Sequence, residues 1–258
     1  MTAGAIIAAL ALPEDARVEQ RVPKKLLMEQ GAPTAADKRA IQDGIEELFW
    51  VAALKPTNVG VPAFRDDVRE YLEIAVLTAT IRHGGKVGRL VELVHRAIPY
   101  PVVLISRGGA ENAETASFSV AHKRWSQGEA GKVVIEDVQC TAAFAGDAPT
   151  PEEAGFLASL PVAGLPRGDL FALYQGWVDR VAALGAARIT GAFAVPGATA
   201  QGEVLRDGLE AHKAMERELV QLRARAKKEK QINRRVELNL EIKRLEVEMA
   251  ASRVQMKG

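Results

Sequence analysis

The chain predicts an α+β fold: a small, mostly antiparallel sheet with packed helices, followed by a long C-terminal helix of coiled-coil type. Three observations carry that prediction. The order of periodic segments is helix, strand, helix and then three strands, which segregates helices and strands as α+β folds do. From about Glu203 to the end there is no proline, and Gly208 is the only interior glycine. Charge is also divided: residues 203–258 hold 14 Lys and Arg against 10 Asp and Glu, while the rest of the chain is slightly acidic.

Residues 1–33 read as an N-terminal helix and an extended arm. "MTAGAIIAALALP" has a short apolar run and no basic stretch before it, so it suits a small buried helix better than a secretory leader. Residues 13–31 mix charges with two prolines and show no period. No stretch approaches the ~20 apolar residues of a membrane span.

Residues 34–200 read as the α+β body. Ile41, Ile45, Leu48 and Ala52 recur at helical steps, so 34–54 is expected to be one helix, capped by Thr34 or Asp37. Residues 70–82 are rich in β-branched residues and read as a strand. Val87, Leu90, Val91, Val94 and Ile98 share one helical face in 86–98. "PYPVVLIS", 116–125 and 132–144 read as strands, the last two as an antiparallel pair, with "SRGGA" (106–110) as a hairpin turn. Residues 168–185 return to helix, after a Pro- and Gly-rich break at 145–155.

Little in the chain points to catalysis or a cofactor. Cys140 is the only cysteine, which excludes a disulfide framework and fits a reducing cytoplasm. His83, His95, His122 and His212 lack metal-ligand spacing, and no phosphate loop, dinucleotide turn or nucleophile elbow occurs. The acid-x-Lys of a metal-dependent nuclease fails at Lys123, because Ala121 stands where the acid belongs. No cofactor, metal or catalytic residue is therefore expected, although a degenerate or unrecognised nuclease stays open. Lys123, Arg124 and Trp125 form a basic strand end that suits contact with a phosphate or carboxylate, or simply protects a sheet edge.

Residues 201–258 read as one long basic helix, roughly 80 Å if unbroken. Met215, Leu219, Leu222 and Ala226 have the four-three-four spacing of a coiled-coil seam. Its continuation is interrupted by Glu229, Asn233 and Lys243. Arg223, Lys227, Lys230 and Arg234 share the same spacing and line one side, so they suit a phosphate backbone, an acidic protein surface or plain solvent. "VELNLEI" (236–242) alternates like a strand but lies in helix-forming sequence. As helix, it contributes to two opposite apolar stripes. Val236, Leu240 and Val247 form one; Leu238, Ile242, Leu245 and Met249 form the other. Such a helix needs two neighbours.

The stretches "RVPKKLL", "WVAALKPTN", "AIPYPVVLI", "VAHKRW" and "KKEKQINRRVELNLEIKRLE" together resemble a bacterial family known as a domain of unknown function. That resemblance implies a cytoplasmic accessory protein that accompanies DNA methyltransferases and large helicases in antiphage or restriction-like gene clusters. It assigns no catalytic residue. The expected function is a non-enzymatic scaffold subunit that docks through Leu219, Leu222, Leu240, Ile242 and Leu245. The partner is a helicase or methyltransferase subunit, or a second copy. Direct DNA binding by the basic stripe is the alternative.

Overall fold

The computed structural model describes residues 2–110, 113–129, 132–144 and 148–256. They fall into two compact units, Met1–Val181 and Ala182–Gly258.

The first unit is built on a six-stranded sheet. It begins with α1 (Ala3–Ala9), β1 (Arg17–Arg21), α2 (Lys24–Gln30), α3 (Ala35–Gly44) and β2 (Ile45–Leu54). A short α4 (Pro56–Val59) and the two-residue strands β3 (Phe64–Arg65) and β4 (Glu70–Tyr71) lead to β5 (Ile74–Ile81) and α5 (Val87–Ala97). Then come β6 (Val102–Ala110), β7 (Ala113–Trp125), β8 (Val133–Cys140), α6 (Pro151–Ser159) and α7 (Leu170–Thr190). The sheet order is β1-β2-β5-β6-β7-β8, and every pairing is antiparallel except β5–β6. Two parallel neighbours need a crossover, and α5 supplies it.

Alternation along the central strands divides the core. Ala75, Leu77, Ala79 and Ile81 of β5, with Val102 and Leu104 of β6, pack with Leu27, Ile41 and the apolar face of α5. On the other face, Phe118 meets Phe156 of α6 edge-on, and the Tyr174 hydroxyl donates to the carbonyl oxygen of Val102 at 2.7 Å. Burial on both faces explains the near-continuous apolar runs of β5 and β6.

The structure corrects four expectations here. Only the first half of 34–54 is helix. Thr34 caps it, accepting the Asp37 N–H, and the chain becomes β2 at Ile45. Ile45, Leu48, Ala52 and Leu54 are fully buried between β1 and β5, so sheet pairing overrides a pattern that also fits a helix. The arm is not merely extended, because it supplies β1 and α2. "SRGGA" is the end of β6 rather than a turn. The break at 145–155, of which 145–147 lie outside the described residues, contains the start of α6. There Thr150 and Glu153 form a reciprocal capping box and Pro151 opens the helix.

The second unit overturns the single long helix. α8 (Thr199–Lys228) ends at Glu229, and α9 (Ile232–Gln255) runs back antiparallel beside it. Arg223 meets Glu246 at 2.8 Å, and Met256 lies by Gly208. The cause is visible in the stripes. Beyond Ala226 the seam of α8 turns polar at Glu229 and Asn233, so an unbroken helix would leave Met215, Leu219 and Leu222 uncovered by this chain. Folding back sets Leu238, Ile242, Leu245 and Met249 against Met215, Leu219, Leu222 and Ala226. That burial outweighs the short stretch of helix given up at the turn.

Leu238→Ala or Leu222→Ala therefore loosens the hairpin by about 2 kcal/mol, the lower end for a buried leucine. Val247→Ala changes it by less than about 0.5 kcal/mol. Hydrogen exchange of the α8 and α9 amides measures both.

Candidate protein-docking face and the placement of the cations

α9 settles the ambiguity of "VELNLEI" by being helical through it. Leu238 is 9% exposed, while Leu240, two residues on, is 54% exposed. Ile232, Val236, Val247 and Val254 join Leu240 in the open. These five recur at intervals of four and seven residues, so they line the side of α9 opposite its contact with α8. Lys243, also exposed, sits midway along the line.

Of the five expected docking leucines and isoleucines, only Leu240 is on this open face. Leu219, Leu222 and Leu245 are buried within the hairpin, and Ile242 packs against them. Those four are therefore the hairpin's own core. Ile232, Val236, Val247 and Val254 take their place, and Val236 and Val247 already belong with Leu240 to one of the two stripes legible in the sequence.

The basic stripe is bent rather than straight. Arg223 and Lys227 lie at the end of α8, Lys230 in the turn and Arg234 in the first turn of α9. Arg225, Lys228 and Arg235 complete a tip of seven cations and one acid, Glu229, between residues 223 and 235. Among these, Arg223 is half-committed to Glu246. The Glu229 carboxylate accepts the Gln231 N–H at 2.8 Å, which helps hold the turn.

Lys123 occupies a different environment from the expected phosphate contact. Its side chain is 3% exposed, and its ammonium donates to the carbonyl oxygens of Ile98 and Tyr100, just beyond the C-terminus of α5. Burial draws its pKa down to about 7, whereas the two carbonyls and the negative end of the helix favour the charge. His95, wholly buried nearby, is held neutral: burial first, then the Lys123 charge, takes it down to about 3. Its Nε2 lies 3.0 Å from the Ser119 hydroxyl. Arg124 faces Glu136 at 3.9 Å, and Glu136 also pairs with Arg69. The cations of "HKRW" thus serve the fold.

Another polar chain crosses the unit without reaching open solvent at its tyrosine end. The Tyr71 hydroxyl lies 2.5 Å from His122 Nδ1, and His122 Nε2 lies 2.8 Å from Gln175 Oε1. Gln175 then donates to Asp179 at 2.8 Å. Tyr71 is fully buried, and burial raises its pKa well above the ordinary tyrosine value. This aromatic cluster, completed by Phe64, Phe171 and Tyr174, locks α7 to the sheet. Among the described residues no group of three His, Cys, Asp or Glu could hold a metal, and no helix is long and apolar enough to cross a membrane.

Residues 10–249 match the family described as Domain of unknown function (DUF4391). The chain belongs to that family. The match runs from the end of α1 into the last turns of α9, so the DUF4391 region takes in both the sheet and the helical hairpin. No curated protein and no solved structure matches the chain.

The buried lysine makes stability depend on pH. With a folded pKa near 7 against an ordinary 10.5, the unfolded chain binds more protons at Lys123 between those values. Stability from this group therefore rises as pH goes from 7 to about 10 and is flat below 7. Urea midpoints across that range should rise more for the natural chain than for Lys123→Met.

Proposed function

We propose that this protein is a non-enzymatic docking subunit whose hairpin holds a helix of a partner protein along the open face of α9. The single observation that carries the reading is that face: five aliphatic side chains at helical spacing stay exposed after the hairpin has buried its own stripe. Burying each is worth roughly 1.5–3 kcal/mol at most, and helix-in-groove recognition uses anchors at this spacing. Charge selects the kind of partner. In a symmetric pairing of two copies along this face, parallel or antiparallel about its midpoint, Lys243 would oppose Lys243. A partner helix with an acid at that position, and further acids toward the basic tip, avoids the repulsion and gains pairing. The setting that best suits such a subunit is a bacterial DNA-modification or antiphage assembly with a helicase or methyltransferase. That setting rests on the sequence resemblance, and with it goes a cytoplasmic location. Packing of coiled-coil type would then join α9 to its partner.

A test is co-expression with a helicase and a methyltransferase of the kind of gene cluster that the sequence resemblance implies. Leu240→Glu with Val247→Glu, both already exposed, should leave a folded monomer that no longer co-purifies with the partner. Retained co-purification would refute the reading. A natural chain that is a dimer in light scattering, and becomes a monomer in the double variant, would assign the face to a second copy instead.

The tip of seven cations favours a second reading, contact with the DNA backbone in the same assembly. Replacing Arg223, Lys227, Lys230 and Arg234 with Gln should flatten the log–log salt dependence of DNA affinity by about 0.9 for each phosphate that is no longer neutralised. A natural chain without DNA affinity at low salt would remove this reading.

A further inference from the structure

We propose that a cleft in the first unit, at the carboxyl ends of β5 and β6, binds a small phosphorylated molecule with a flat apolar body, of the nucleoside monophosphate class. In sheets with parallel neighbours, ligands settle where the strands end and the crossover helix begins. Here β5 runs into "RHGGK" (82–86) and α5, and β6 runs alongside into Arg107 and Gly108. Together with the facing parts of β7 and β8 they enclose about 620 Å³, within the usual range for small-ligand sites.

Charge and hydrogen-bonding capacity in the cleft point to an anion. Among the described residues no Asp or Glu lines it, whereas Arg82, Arg107 and His83 do. Arg82 is occupied by the carbonyl oxygens of Gln42 and Asp43. Arg107 uses only its Nε, on Thr80 at 2.7 Å, so its two terminal nitrogens have no partner among the described residues. Ser106 and Ser117, 4% and 7% exposed, also line the cleft, with their hydroxyls 2.5 Å apart. Two hydroxyls carry two protons and this contact uses one. The second proton has no acceptor among the described residues, and a buried donor is costly to leave unmet. α5 adds to this, because among the described residues no side chain caps its N-terminus and no acid lies in its first turn.

The rest of the cleft suits a ring. Ile81, Val87, Val91 and Val138 provide aliphatic walls. Gly88, in the first turn of α5, leaves the space open: a Cβ there would meet nothing within 4 Å.

Cys140, the sole cysteine and exposed, lines the same cleft and reports on its occupancy. Thiol labelling of the full chain should slow when AMP is added, and slow less with adenosine or inorganic phosphate alone. Gly88→Leu fills the cleft on a helix that tolerates it and should abolish the AMP-dependent protection with the circular dichroism unchanged. Arg107→Gln should weaken AMP binding about tenfold by calorimetry. The proposal is overturned if AMP, GMP, CMP and UMP at millimolar concentration all give no protection. It is equally overturned if phosphate alone protects as well as AMP, or if protection persists unchanged in both variants.

Discussion

A helix that is apolar on two opposite sides cannot be satisfied by one neighbour, and α9 is such a helix. Leu238, Ile242, Leu245 and Met249 are covered by α8, while Ile232, Val236, Leu240, Val247 and Val254 are not. The constraint acts twice. It forces the tail to fold back, since α8 also needs a partner for Met215, Leu219 and Leu222 and its own continuation is polar. It then leaves five aliphatic side chains exposed on the far side, the face on which the proposed docking rests. The cations follow from the same event, because a turn at Glu229–Gln231 gathers into one tip the charges that a straight helix would spread over several turns.

The first unit answers a different constraint, the placement of one parallel pair inside an antiparallel sheet. The crossover helix α5 must lie on the sheet, so its apolar face joins the core, and its two ends acquire opposite electrostatic tasks. At its C-terminus the Ile98 carbonyl receives the ammonium of Lys123, which satisfies a buried cation with backbone dipoles. At its N-terminus no side chain among the described residues caps the N–H groups, and Val87 and Gly88 of its first turn line the cleft there. His95, between them on the buried side, is neutral chiefly because burial disfavours its charged form, with the nearby Lys123 charge acting in the same direction.

How much of this was legible depends on whether the deciding interaction was local. The helix at 87–97, the presence of three strands between 102 and 140, though not the extent of the first beyond Ser106, and the two stripes of α9 follow from periodicity and can be read directly. The half-strand at 45–54 could not be, because "IEELFWVAAL" fits either period and only its burial between β1 and β5 decides. α6 was readable and missed: Thr150-Pro-Glu-Glu153 is a capping box with proline at the first helical position. The hairpin turn carries no glycine or proline, so nothing local announces it. The signal lay in the mismatch between an apolar seam before Ala226 and a polar one after it. Lys123 misled for the opposite reason. "HKRW" has the composition of an exposed basic cluster, but strand alternation points its lysine inward and its arginine toward Glu136.

The open face of α9 is also self-limiting, and that bears on which partner it fits. Its five side chains are each about half to two-thirds exposed, so covering them all yields roughly 5–10 kcal/mol. Bringing two proteins together costs a comparable amount, roughly 4–15 kcal/mol. An apolar helix without matching charge would therefore gain little lasting hold. On the proposed docking, the surplus would come from Lys243 and the seven cations of the tip, which would reward acids placed at one position along the line and at one end of it. A second copy of this chain would oppose Lys243 with Lys243 in either alignment, and tip with tip when parallel. On the proposed docking, the aliphatic side chains would supply contact for any helix, while the charges would decide which helix stays.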